Sequence, residues 1–426
     1  MSHFPTPGTE TVEADPRLSE AFVLDLGRAL HALGHPSHWL EDGMSRAAER
    51  LGLEGNFFTT PTSIIAAFGA PPHQTTHLLR VEPGAVHLER LARVIAVGHD
   101  VLGGRITPLQ GSTELGEIMS SKPRYGRLLT AFAFALSGAA AGRFLGGGLH
   151  EVLTAAALGG ALALLSFVAA RFSAAQRMFE PIAVFFVSLS AAALSHQYTL
   201  SVYVTTLAAI LVLLPGLTLT AAMAELSSQH LVSGTSRLTG AAVQFLGLAF
   251  GVVMGTRVAA SFWGAAAHVT PFALPQWTEW IALLAAPLAF TVLLRARPRD
   301  YPWILLTGVL AFFAGRYATR LFGAELGALH GALVAAGVSN LIARRRGTSP
   351  ATTLVPAILL LVPGSVGFKS LTLMMNRDVL SGVEAAFRMI SMVAALVAGL
   401  LTAGVLVPPP ALGEHVRRRA DGAAIS

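Results

Sequence analysis

The sequence predicts a polytopic α-helical membrane protein, with about ten transmembrane helices arranged as two inverted five-helix repeats behind a small α+β soluble domain. Three observations lead there. Hydrophobic residues make up 53 % of the 426 residues and charged residues only 13 %, against about 25 % charged in ordinary soluble domains. After about residue 127 the apolar residues gather into windows near 20 residues long, the length that crosses a hydrocarbon core of about 30 Å. A stretch of the chain also repeats itself at a spacing of 148 residues.

Taken in order, residues 1–17 are polar and proline-containing, the composition of a disordered tail. Met1 to Pro16 hold no apolar run, so no cleavable signal peptide is expected and insertion falls to internal helices. Residues 18–121 read as a cytoplasmic α+β domain. Phe22, Leu26, Ala29, Leu30 and Leu33 recur at helical spacing up to Gly34, where a helix should stop. A second helix is expected from about Ser37, with Trp39, Leu40, Met44, Ala47 and Leu51 on one face. Phe57, Phe58, the Thr-Pro-Thr segment 60–62, Ile64 and Ile65 have strand character, as does the stretch 75–81. Helices are expected at about 86–102, ended by Gly103 and Gly104, and at about 112–120.

The apolar windows fall at 128–147, 152–170, 180–195, 199–223 and 238–262 in a first membrane module, 122–265. A second module, 266–407, holds windows at 277–295, 302–319, 326–342, 352–372 and 386–407, and a cytoplasmic tail follows at 408–426. With the amino-terminal domain inside, fifteen Lys and Arg flank the windows on its side of the membrane. Seven lie on the other: Arg143, Arg257, Arg316, Arg320, Lys369, Arg377 and Arg388. Basic residues favour the cytoplasmic side, so a multi-pass protein of the cell (inner) membrane with both termini cytoplasmic is expected.

The same clusters explain the net charge of +6 without nucleic acid, which is not expected as a partner. The absence of cysteine excludes thiolate metal sites and cysteine nucleophiles. His31, His35 and His38 crowd together, but Pro36 interrupts their face and no zinc spacing appears, so no metal is expected. No G-x-x-x-x-G-K-[ST] occurs, so ATP hydrolysis is not expected, and no cofactor is.

The 148-residue shift lays Leu213-Leu214-Pro215-Gly216 on Leu361-Val362-Pro363-Gly364, and Ser233-Gly234 on Ser381-Gly382, without a gap. Ten of 43 columns match between 209 and 251, where roughly a tenth would match by chance at this composition. Five windows per half is an odd number, which makes the halves insert in opposite senses, as in secondary transporters. Proline removes a backbone donor, so the fourth and ninth helices should break at the Pro-Gly pairs and free helix ends for a carboxylate-bearing ligand. The candidate substrate and translocation residues are Pro215, Gly216, Thr218, Thr220 and Glu225, with Pro363, Gly364, Ser365, Lys369, Asn376 and Arg388. His230 and Asp378 coincide under the shift and are the candidates for a coupling proton. Glycines spaced by four, Gly138, Gly142 and Gly146 and again Gly247, Gly251 and Gly255, read as packing ridges.

The early Phe22-Val23-Leu24-Asp25-Leu26-Gly27-Arg28-Ala29-Leu30 helix, the Thr60-Pro61-Thr62-Ser63-Ile64 segment, the Leu91 to Gly103 helix and the Tyr125-Gly126 entry to the membrane resemble the threonine/serine exporter family. Val362-Pro363-Gly364, Gly382 and a final glycine-rich helix resemble that family's second membrane module, so the likeness covers about 18–407. It implies proton-driven export of threonine and serine, with two five-helix modules fused in one chain. Relatives with the modules split are associated with succinate, so a dicarboxylate exporter stays open. The expected partners are a small-molecule substrate (threonine, serine or a dicarboxylate), protons and membrane lipid, with a homo-oligomer allowed for. A membrane-anchored hydrolase using Thr60, Ser63 and histidines lacks a nucleophile-base-orienter spacing. A scaffold would not need the paired breaks.

Overall fold

The computed structural model describes residues 15–82, 84–267, 269–361, 364–375 and 378–410. The chain divides into two compact units: one takes in the residues up to Gly84 with Arg93–Ser121, the other Ala85–Ala92 with Lys122–Pro410.

In the first unit, α1 (Pro16–Ala32) begins where the Asp15 carboxylate accepts the Arg17 N–H, with Pro16 where no intrahelical donor is needed. Phe22, Val23, Leu26 and Leu30 form its buried stripe. On α2 (Ser37–Arg50), Leu40, Met44 and Ala47 are buried as expected, but Trp39 is exposed and leans on the His35 and His38 rings. One residue before Leu40, it lies about 100° around the helix from that stripe.

Three strands, β1 (Gly55–Thr60), β2 (Ser63–Phe68) and β3 (Thr75–Arg80), form an antiparallel meander in chain order. The strand-like stretch 57–65 is therefore two strands: Thr60 faces Ser63 across a turn at Pro61 and Thr62. Proline's fixed φ and missing N–H suit that turn and not a strand interior. Hydroxyls of Thr60 and Ser63 bond each other at 2.8 Å, and His31 Nε2 meets the Thr60 carbonyl at 2.9 Å. Ile64, Ala66 and Phe68 turn one sheet face into the core.

Helix α3 (Leu88–Leu102) gives Val94, Val97 and Val101 to that core. Helix α4 (Pro108–Ser120) starts four residues before the expected 112, because Thr107 and Gln110 form a reciprocal capping box. Gly111 is required there: a Cβ would lie 2.5 Å from Val101 and 2.7 Å from Phe22.

The second unit is helical: α5 (Arg127–Phe144), α6 (Leu149–Ala169), α7 (Ser173–Leu194), α8 (Val202–Ala209), α9 (Gly216–Ser227) and α10 (Leu231–Trp263). Then follow α11 (Thr278–Leu293), α12 (Tyr301–Phe322), α13 (Ala324–Arg346), α14 (Ala351–Leu361), α15 (Gly364–Met375) and α16 (Val379–Leu406). Each apolar window overlaps helix, but among the described residues six helical segments are long and apolar enough to cross a membrane, or seven with the bent pair α8–α9 as one span. The expected ten is not reached on length and composition. Helix α11 has 16 residues, a rise of about 24 Å, and α5 carries an arginine near each end, Arg127 and Arg143.

The sequence repeat has a structural counterpart. Helices α9 and α15 both begin and end 148 residues apart, at Gly216 and Gly364 and at Ser227 and Met375, and α10 and α16 begin at Leu231 and Val379. Contacts recur at the same offset. Gly251 of α10 meets α7 so closely that a Cβ would lie 2.5 Å from the Pro181 carbonyl and 3.2 Å from the Phe185 nitrogen. Gly399 of α16 meets α13 at the equivalent Leu329 carbonyl and Leu333 nitrogen. Gly234 packs on Leu226 just as Gly382 packs on Met374. Without a hydrophobic force between helices in lipid, such backbone approach is what binds neighbours.

Candidate functional site

The candidate site lies at the starts of α9 and α15, each on the glycine of a repeated Pro-Gly sequence. Helix α8 gives way to a 3-10 turn at Leu211–Leu213, with Val202–Ala209 bent by 54° against Leu211–Ser227; Leu214 is extended, and α9 starts after Pro215. The cause is local: proline cannot donate, and its ring drives the preceding residue out of the helical region. A break in an apolar setting leaves backbone groups that need partners. The Leu213 carbonyl receives the side-chain amide of Gln244 from α10 at 3.2 Å, and that amide also donates to Glu180 of α7 at 2.9 Å. Thr220 donates back to the Gly216 carbonyl at 3.0 Å. No side chain caps the start of α9, so its partial positive charge faces whatever lies beyond.

What lies beyond is the start of α15. A Cβ placed on Gly364, the first residue of α15, would stand 3.4 Å from the Leu214 Cβ and 4.0 Å from the Gly216 Cα. Around the junction Leu214, Leu219, Phe245, Leu248, Phe368 and Val393 form one buried apolar cluster drawn from both halves. Thr218 and Ser365 are half-buried on the first turns of α9 and α15, and Pro215 and Thr220 are buried. Pro363 and Asn376 lie outside the described residues.

The charged candidates are dispersed. Glu225 is fully buried nine residues after Gly216, about 14 Å along α9, and forms an ion pair with Arg237 of α10 at 3.1 Å. His230 precedes α10: its N–H donates to the Glu225 carbonyl at 2.8 Å and its Nδ1 lies 2.9 Å from the Ser228 carbonyl. Asp378 holds the equivalent place before α16, where its exposed carboxylate accepts the Ser381 N–H at 3.3 Å. Lys369 is exposed, and the exposed Arg388 pairs with Glu384 one turn away at 3.4 Å.

Three residues at the site escaped sequence reasoning. Glu180 opens one apolar window and Gln244 sits inside another, and polar side chains in such a setting are themselves a signal. Arg237 falls one residue outside the 238–262 window, yet α10 begins at Leu231, so the arginine is helical and turned inward.

Long apolar helices and glycine-lined contacts between them define a multi-pass α-helical membrane protein. One family model, described as "Putative threonine/serine exporter", matches residues 21–259, and a second, "Threonine/Serine exporter, ThrE", matches 279–406. The chain belongs to the threonine/serine exporter family, with both modules in one polypeptide. It is similar to Pheromone-regulated membrane protein 10 of Debaryomyces hansenii, 26 % identical over 386 residues, which cover 87 % of this chain and 38 % of that protein. The protein of that name from Eremothecium gossypii is 25 % identical over 382 residues, covering 87 % of this chain and 50 % of that protein. An uncharacterised protein of Schizosaccharomyces pombe is 27 % identical over 394 residues, covering 88 % and 50 %. The chain thus spans half or less of the length of these relatives. No solved structure matches it.

Proposed function

We propose that the chain exports small amino acids, threonine and serine, from the cytoplasm through the cell membrane, driven by protons. The substrate is held between the starts of α9 and α15, by Pro215, Gly216, Thr218 and Thr220 on one side and Pro363, Gly364 and Ser365 on the other. The observation that carries this reading is the approach of Gly364 to Leu214 and Gly216. Two helix amino termini that begin beside each other suit a carboxylate, and neighbouring hydroxyls suit a hydroxylated side chain. His230 and Asp378, at matching helix starts, carry the coupling proton, and the halves exchange packings as an inverted pair with both termini cytoplasmic.

The test is uptake of labelled threonine, serine and succinate into everted membrane vesicles, with and without an imposed proton gradient. The expected result is gradient-dependent threonine or serine accumulation that a Pro215→Ala/Pro363→Ala variant lacks. Succinate accumulation alone moves the protein to dicarboxylate export, and no flux of any of the three overturns the reading.

A further inference from the structure

Away from the α9–α15 junction, the start of α11 and the end of α12 border a half-open cavity of about 550 Å³. Its lining joins the rings of Trp277, Trp280, Phe312, Phe313 and Tyr317 to Glu279, Arg316 and Arg320. Glu279 and Arg316 are ion-paired, and the Arg316 guanidinium lies 5.6 Å from the Phe312 ring centroid. Arg320, one turn further on, is exposed and has no carboxylate at ion-pair distance among the described residues. Arg143, at the end of α5, is held nearby by Thr278 at 2.6 Å. Within the lining, Arg316 and Arg320 stand against the single carboxylate of Glu279, which Arg316 already pairs, so Arg320 is the cation left to a ligand there.

The chemistry of the walls selects the occupant. A threonine, serine or succinate molecule has almost no apolar surface to set against five aromatic rings, whereas an amphiphile does. Trp277, Trp280 and Tyr317 are 63 %, 58 % and 67 % exposed, as aromatic residues are where membrane helices meet the headgroup layer. From the cavity an exposed apolar stripe runs back along α12 through Phe313, Leu310 and Leu306. From Tyr317 to Leu306 it covers about 16 Å, roughly the depth of one leaflet.

We propose that this cavity and stripe hold one anionic phospholipid, with its phosphate at Arg320 and Arg316, its glycerol region on Trp277 and Trp280, and an acyl chain along α12. The site is separate from the α9–α15 junction, and it stands or falls independently of the transported substrate. Each arginine at a membrane surface favours an anionic headgroup by about 1 kcal/mol, a preference of about five-fold.

The experiment uses the full chain in phosphatidylcholine bilayers doped with brominated lipid, which quenches neighbouring tryptophan. The signal of a Trp277→Phe/Trp280→Phe variant is subtracted to isolate the two rings. Brominated phosphatidylglycerol should quench them at about one-fifth the mole fraction that brominated phosphatidylcholine needs. Arg320→Gln should remove most of that preference, and Arg320→Lys should keep it. Equal quenching by the two lipids, or a preference unchanged in Arg320→Gln, overturns the proposal. So does relief of quenching by soluble glycerol phosphate or inorganic phosphate, which would make the cavity a site for a dissolved anion.

Discussion

Glu225 and Arg237 leave water together, at 0 % and 13 % side-chain exposure, so each is stable largely because of the other. Removing one partner should cost about 3–5 kcal/mol, because the remaining charge stays buried. We expect Arg237→Gln and Glu225→Gln each to lower the unfolding temperature in detergent, and the double variant to lose far less than their sum; additive losses would mean that the pair does not act as a unit. Gly251 and Gly399 make a second prediction at this scale. Because both stand against the backbone of equivalent helix turns, Gly251→Val and Gly399→Val should destabilise alike, each by about 1–3 kcal/mol. A large effect at one position alone would argue against equivalent packing. The sequence singled out Glu225 and Gly251 without their partners, since a residue's own type signals its cost but not what it touches.

Among elements, the break between α8 and α9 was legible because proline acts on its own backbone and on the residue before it. What repairs the break was not, since Gln244 lies 31 residues from Leu213. Gln244→Leu should leave the Leu213 carbonyl without that donor and cost about 1–3 kcal/mol, read as a lower unfolding temperature; an unchanged temperature would show that another donor serves it. The hairpin at Pro61 and the early start of α4 follow local rules as well. Their boundaries shifted only because turn and capping signals outrank hydrophobic spacing at element ends.

At the scale of the molecule, acid should destabilise the fold through its histidines. His87 is 5 % exposed, and its Nδ1 accepts the Arg90 N–H at 3.3 Å. Burial first, then the charges of Arg90 and Arg295, push it down to about 4 against the opposing pull of Glu89, and burial takes His35 down to about 4 as well. The unfolded chain therefore binds these protons near pH 6.5 and the folded chain only near 4. Stability from this source is complete above pH 6.5 and is lost as pH falls through that window. The unfolding temperature should decline from pH 6.5 towards 4, and His87→Gln should flatten the decline by roughly half, since two such histidines contribute; an unaltered slope would remove His87 as a cause. By itself the sequence determined the membrane class, the helical segments and the break before Gly216, because hydropathy, periodicity and proline chemistry act over a few residues. Only the tertiary structure decided that the Gly364 and Gly216 ends meet, that Arg237 answers Glu225, and which helices are long enough to cross a bilayer. Those depend on backbones brought together from as far as 148 residues apart, and close packing, not local preference, sets such contacts.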